Sequence, residues 1–231
     1  MAPHESPDKG SVTAHGASTT ADSSESADGP ATQGGQRKLT SRGKSRRSAI
    51  IASATRLFAE QGYHPTSVQD IVDDLGVGKG VFYWYFPSKD ELLSEILRAS
   101  LFDLRTTQER AIGSTERPLE RLEKGIRASL GWYANNQDLL RVTLFCFTEE
   151  RFARALLKGR RISIADTARH VSDAISDGVI APCNPTLVAT GIIGVLDELG
   201  RSLAFSGQTF NDELEQFAVD MCLHGALGPA K

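Results

Sequence analysis

Apolar residues between positions 50 and 101 recur in four short helical registers. Ile50, Ala54, Leu57 and Phe58 fall at i, i+4, i+7 and i+8, the stripe of an amphipathic helix. Gly62 ends that stripe, where glycine can take the left-handed conformation of a C-cap. Thr66 and Gln69 have capping-box spacing and predict the start of a second helix. Val68, Ile71, Val72 and Leu75 form its apolar side, and Gly76 permits the positive φ of a tight turn. A third segment, residues 78–85, is brief. Phe86-Pro87 interrupts it, and Ser88 with Glu91 forms another capping box. That box opens a fourth helix with Leu92, Leu93, Ile96, Leu97 and Leu101 on its apolar side. Three short helices around a tight glycine turn are the helix–turn–helix layout, whose last helix enters the major groove.

The third helix carries candidate chemistry. At about 100° per residue, Lys79, Gly80, Tyr83 and Trp84 share one face, while Phe82 and Tyr85 point toward the first helix. Two large aromatics on a solvated face are costly unless something covers them. Glycine would let a helix approach base edges, lysine can donate to guanine acceptors, and Tyr83 can donate to a phosphate.

Downstream, no proline occurs between residues 119 and 181, and apolar residues repeat at helical spacing. Pro182 and Pro185 mark a loop. Beyond it Val188, Ile192, Val195, Leu196, Leu199 and Leu203 form one helical series, with Gly191 and Gly194 allowing a neighbour close. A last helix carries Phe210, Leu214, Phe217, Ala218 and Met221. The fold class expected is all-α: an N-terminal three-helix helix–turn–helix domain followed by a helical C-terminal domain.

The formal charge of −3 argues at first against nucleic acid, but it averages unlike parts. Residues 1–36 contain no Leu, Ile, Phe, Tyr or Trp and carry five acidic residues against Lys9 alone. Such a stretch cannot offset its ordering entropy and is expected to be a disordered acidic tail. Arg37, Lys38, Arg42, Lys44, Arg46 and Arg47 follow with no acid among them. Over 37–98 ten basic residues face seven acidic ones. A basic block of this kind is either a solvated face or a phosphate contact. Residues 37–46 are therefore read as a basic arm, 47–93 as the DNA-binding domain and 94–231 as the helical effector and dimerisation domain. No apolar run reaches 18 residues, so no membrane span is expected, and the first 30 residues lack the apolar core of a secretory leader. Cys146, Cys183 and Cys222 are odd in number and far apart, which argues for reduced thiols in a cytoplasmic protein. The five histidines pair with no cysteine at metal-ligand spacing, so neither metal nor cofactor is expected.

Residues 47–93 resemble the DNA-binding domain of the tetracycline-repressor (TetR) family of bacterial regulators. The resemblance is carried by Ala54-x-x-Leu57-Phe58-x-x-x-Gly62-Tyr63, Thr66-Ser67-Val68-x-Asp70-Ile71 and Leu75-Gly76-Val77-Gly78-Lys79-Gly80. It continues through Phe82-Tyr83-x-Tyr85-Phe86 to Ser88-Lys89-x-x-Leu92. Gly78 and Val81 depart from it, since the family usually has Ser and Thr there.

The resemblance implies a homodimeric repressor that reads a palindromic operator and is released by a small hydrophobic molecule, in efflux, lipid or secondary-metabolism control. It implies phosphate contacts at Thr66, Ser67, Tyr83, Tyr85 and Lys89, and base contacts at Gln69, Lys79 and Gly80. Trp84, Arg46 and Arg47 are further candidates. It implies that the last two long helices pair across a two-fold axis, with Val188, Ile192, Val195, Leu199, Leu203, Leu214, Phe217 and Met221 at the interface. By the same analogy an effector pocket lies in the C-terminal domain, with Trp132, Tyr133, Phe145, Phe147, Phe152 and His170 as candidate lining. Arg141, Arg160 and Arg161 are available to an anionic effector such as an acyl-CoA.

Two other classes compete. A non-specific architectural DNA-binding protein would share the basic block and the helix–turn–helix. An enzyme is disfavoured: the glycines at 76, 78 and 80 lack the Gly-Lys-Ser/Thr ending of a phosphate loop and follow a helix, not a strand. No Gly-x-Ser-x-Gly elbow occurs, and Asp73-Asp74 are more simply solvated carboxylates.

Overall fold

The computed structural model describes residues 40–225. The acidic tail expected over 1–36, and Arg37 and Lys38 of the arm, lie outside the described residues. Within them the chain is all-α, as expected: α1 (Ser41–Gln61), α2 (Val68–Asp74), α3 (Lys79–Tyr85), α4 (Lys89–Ile112), α5 (Pro118–Asn135), α6 (Gln137–Cys146), α7 (Glu150–Ser176), α8 (Pro185–Phe205) and α9 (Asp212–His224).

The first helix starts earlier than its apolar stripe. Thr40 caps it, its side chain accepting from the Gly43 N–H at 3.2 Å. No proline lies between this cap and Ile50, so nothing interrupts helix propagation. Arg42, Lys44 and Arg46, read as part of an arm, therefore ride on the opening turns of α1. Gly62 ends α1 at φ +91°, its N–H donating to the Phe58 carbonyl. Gly76 takes φ +63° in the turn between α2 and α3.

The capping box of α2 is shifted by one residue from the expected Thr66–Gln69 pair. Ser67 is the cap, its Oγ accepting from the Asp70 N–H at 3.2 Å, while the Asp70 carboxylate accepts from the Ser67 N–H at 2.7 Å. Thr66 is fully buried and donates its hydroxyl to the Gly62 and Leu57 carbonyls. It seals the end of α1, and so cannot also cap α2.

Ile50, Phe58, Ile71, Phe82, Phe86 and Leu92 build the core of the head. Burial of each such side chain contributes about 1.5–3 kcal/mol. That core does not close within residues 47–93: Val142 and Cys146 of α6 and Phe152 and Leu156 of α7 belong to it. A second core unites α5, α7, α8 and α9 through Ile126, Leu130, Val171, Leu196, Leu203 and Ala218. The 24-residue α4 serves both, burying Leu92, Leu93, Ile96 and Leu97 in the head and packing Leu104 against the body.

Candidate nucleic-acid interface

The tight turn places α3. The Gly76 N–H donates to the Asp73 carbonyl at 3.1 Å and the Val77 N–H to the Val72 carbonyl at 2.9 Å. Ser53 and Arg56 of α1 hold the Asp74 carboxylate. Those bonds keep it below the usual carboxylate range and tie α2 to α1, which corrects the reading of Asp74 as simply solvated. On α3 Phe82 is fully buried, and Val81 and Tyr85 are half-buried against the head core. Lys79, Gly80, Tyr83 and Trp84 face solvent, with Tyr83 53% and Trp84 56% exposed. The structure thus brings this predicted face together. A Cβ built on Gly80 would meet nothing within 4 Å, so no packing inside the chain requires a glycine there.

Other candidates have partners within the protein. Lys89 donates to the Tyr63 carbonyl at 2.8 Å and the Thr66 carbonyl at 2.7 Å, and lies 4.2 Å from the Tyr63 ring centroid. Its ammonium closes the α1–α2 loop, and partial burial holds its pKa below the ordinary lysine value. A phosphate would have to compete with these carbonyls for the Lys89 ammonium. Thr66 likewise offers no free hydroxyl, because it is buried and bonded inside. Ser67 is exposed, but the ionised Asp70 carboxylate beside it, kept below its usual range by hydrogen bonds from Ser67, opposes a phosphate there. Gln69 is exposed and donates to Asp73 at 2.6 Å. Arg47 pairs with Glu95 at 3.0 Å and stacks on Phe86, with its guanidinium carbon 5.1 Å from the ring centroid. It braces α1 against α3 and α4, whereas Arg46, one residue earlier on α1, has no such fixed partner among the described residues.

A junction that sequence reasoning missed joins the head to α6 and α7. The Tyr63 ring is buried between Phe58, Phe145 and Phe152, with centroids 5.1–5.8 Å apart, and its hydroxyl donates to Asp90. Arg151 pairs with Asp90 as well, and His64 Nε2 meets Glu149 Oε1 at 2.9 Å. Burial and the Asp90 carboxylate raise the Tyr63 pKa. Phe145 and Phe152, expected in a ligand pocket, are part of this junction. Both lie at the α6–α7 elbow, which turns them toward the head.

The body does contain a cavity, between α4, α5, α7 and α8. Trp132, Tyr133 and Phe147 line one compartment of about 110 Å³, and His170 lines an adjoining one of about 100 Å³. Trp132 Nε1–H donates to Asp103 at 2.7 Å. Burial pushes the Tyr133 hydroxyl up to about 12. Arg105, Gln108, Arg121 and Ser129 also line this space, and no local spacing in the sequence marks them.

The expected interface residues divide. Ile192, Leu203 and Leu214 are buried inside the subunit, because α8 turns that side toward α5 and α9. Val188, Val195, Leu199 and Met221 are half-buried, and Phe217 is 52% exposed. Leu187, Phe205 and Phe210 add to the exposed apolar surface of α8 and the approach to α9. A Cβ on Gly191 or Gly194 would meet nothing within 4 Å. Among the described residues, no helix is long and apolar enough to cross a membrane.

Residues 50–96 match the family described as bacterial regulatory proteins, tetR family. Residues 115–226 match a tetracyclin repressor-like C-terminal domain. The HTH-type transcriptional repressor KstR2 of Mycobacterium tuberculosis (strain ATCC 25618 / H37Rv) is 40% identical over 85 residues, 37% of this chain and 42% of that protein. The HTH-type transcriptional regulator HbdR of Aromatoleum sp. (strain CIB) is 30% identical over 156 residues, 64% of this chain and 66% of its own length. The match with KstR2 thus spans less than half of that relative. Among solved structures, the fatty acid degradation regulator FadR from Bacillus halodurans superposes with a TM-score of 0.73 at 18% identity, over 83% of this chain and all of that one. A TetR/AcrR-family regulator from Thermobifida fusca YX-ER1 gives 0.64 at 26% identity, over 79% of this chain and 98% of that one.

Proposed function

The chain belongs to the tetR family of bacterial regulatory proteins, and from that membership we propose that it is a transcriptional repressor. It binds a two-fold symmetric operator as a homodimer and leaves it when a small hydrophobic molecule enters the body. The observation that carries this reading is the α3 face. Lys79, Gly80, Tyr83 and Trp84 stand exposed on a helix whose other side is anchored by the fully buried Phe82. Exposed aromatics beside a glycine and a lysine suit a surface covered by duplex DNA, with lysine reaching base acceptors and Tyr83 a phosphate. Arg46 supplies a further backbone contact. KstR2 and HbdR, named as a transcriptional repressor and a transcriptional regulator, support the assignment to gene control.

The homodimer rests on α8 and α9. Leu187, Val195, Phe205, Phe217 and Met221 leave apolar surface, and Gly191 and Gly194 are two open glycine positions, as close helix pairing across an isologous interface needs. The effector reading rests on the cavity beside α4, since α4 also carries the head. A molecule that parts α4 from α5 and α7 changes the spacing of the two heads.

Selection of bound sequences from random duplex DNA tests the proposal. The enriched pool should converge on an inverted repeat whose half-sites lie about one helical turn apart. Specific sites should outcompete scrambled duplex by roughly 10³ or more at fixed salt. Equal binding of both would make the chain a non-specific architectural protein instead.

A further inference from the structure

The cavity in the body consists of two adjoining compartments that share Gln108, Ser129, Ser163, Ile193 and Leu196, one carrying most of the charged side chains and the other more apolar. Its polar compartment is lined by Arg105, Arg121, Arg169 and His170 together with Glu109 and Asp166. A crossbar follows, in which Gln108 Nε2–H donates to Ser129 Oγ at 2.8 Å, and both residues line the compartments on either side. Beyond it stand Leu104, Trp132, Tyr133, Phe147 and Leu196. The far end reaches the ion pair of Arg160 with Asp197.

Most polar groups around this space are satisfied. Arg105 pairs with Glu109 and Asp166, Arg169 with Asp166, and Arg121 through a terminal nitrogen with Asp173. Two buried side-chain atoms have no partner among the described residues, Arg121 Nε and His170 Nδ1. Both residues line the polar compartment. Buried polar atoms without partners are uncommon, and an arginine Nε–H can only donate. Two orphaned atoms, on residues of neighbouring helices that line one space, leave hydrogen-bonding capacity that the chain itself does not use. The three arginines of the wall are matched by Glu109, Asp166 and Asp173, so the two orphaned atoms, and not a net charge, mark the place for a partner.

Resting on the reading of this cavity as the effector site, we propose that the effector is an amphipathic carboxylic acid. Its carboxylate accepts from Arg121 Nε–H and His170 Nδ1–H, and its hydrocarbon chain runs past the Gln108–Ser129 crossbar into the compartment of Trp132 and Tyr133. Burial and the charges of Arg121 and Arg169 hold the His170 pKa below its ordinary value against the opposing effect of Asp166 and Asp173. In the unliganded protein this favours the neutral imidazole, in which Nδ1 can carry the proton it donates. A charge-assisted pair of donors separates an acid from an ester or alcohol of the same length, because neither of those brings an anionic acceptor to the two donors.

The test is calorimetric titration of the full chain with decanoate, methyl decanoate, 1-decanol and decanoyl-CoA. Decanoate is expected to bind at least about tenfold tighter than the ester or the alcohol, the scale of one charge-assisted hydrogen bond. Arg121→Met and His170→Leu should each lower decanoate affinity by about tenfold and leave 1-decanol binding unchanged. His170→Leu should not lower the melting temperature of the unliganded protein, since Nδ1 has no partner there; Arg121→Met also breaks the ion pair with Asp173 at 2.7 Å, so it is judged on the contrast between decanoate and 1-decanol. Equal binding of acid and ester, tighter binding of decanoyl-CoA, or variants that bind decanoate normally would each overturn the proposal. Operator binding by the unliganded protein tests the underlying reading separately. If it persists while decanoate fails, the regulator stands and the carboxylate assignment falls; if it is absent while decanoate binds as described, the reverse holds.

Discussion

Replacing Lys89 with alanine separates two roles that one lysine at the start of α4 can play. The ammonium donates to the Tyr63 and Thr66 carbonyls at 2.8 and 2.7 Å and sits over the Tyr63 ring. Removing a charged donor costs roughly 1.5–3 kcal/mol per hydrogen bond when the acceptor stays buried. Both carbonyls belong to buried residues, but the lysine itself is partly exposed, so water entering in its place restores some of that loss, and about 2–3 kcal/mol is expected for the pair. For a domain of this size that lowers the melting temperature by about 5–10 °C. The assay is thermal unfolding followed by circular dichroism, paired with operator binding measured from 50 to 200 mM salt. A lysine that touches no phosphate should leave the slope of log K against log salt unchanged. A phosphate ligand in each half-site would instead reduce the slope by about two across the dimer. A variant that melts within 1 °C of the parent and loses that slope would refute the loop-closing role.

Gly80→Ala should leave the fold intact or raise its stability by about 0.5–1 kcal/mol, because a Cβ there meets nothing and alanine favours helix. Operator affinity should nevertheless fall, read by gel shift beside the melting curve; unchanged affinity would remove Gly80 from the interface. Thiol labelling at pH 8 should modify the exposed Cys183 quickly and Cys146 barely, since burial pushes the Cys146 thiol up to about 12. Equal labelling rates would mean that the junction of α6 with the head opens readily in solution.

Much of the head was legible because its determinants are local. The stripe Ile50–Phe58, the positive φ at Gly62 and Gly76 and the split of α3 into a buried Phe82 and an exposed Lys79–Trp84 face all follow from spacing within one or two turns. Errors arose where two local solutions compete. Thr66-x-x-Gln69 and Ser67-x-x-Asp70 both have cap spacing, and burial of Thr66 against the end of α1 decides between them. Lys89 lies on a motif that suggests DNA, yet its partners are 23 to 26 residues away and invisible to spacing. The same limit applies to the body. Phe145 and Phe152 have the composition of pocket residues, but the α6–α7 elbow aims them at Tyr63. Ile192 and Leu203 of α8 and Leu214 of α9 fit an interface stripe, while they are buried together in the core of the subunit and Leu187 and Phe205 of α8 remain outside. Arg121 and His170 meet only because α5 and α7 pack together, a contact no pattern along the chain encodes.

The most direct test of the account is a base-by-base comparison of Lys79→Ala with the parent on the selected operator, at one fixed salt concentration. If α3 reads the major groove, the variant should lose discrimination at one base position in each half-site, by about 1–3 kcal/mol, and keep its preference elsewhere. A uniform loss across all duplexes, or an unchanged profile, would contradict it.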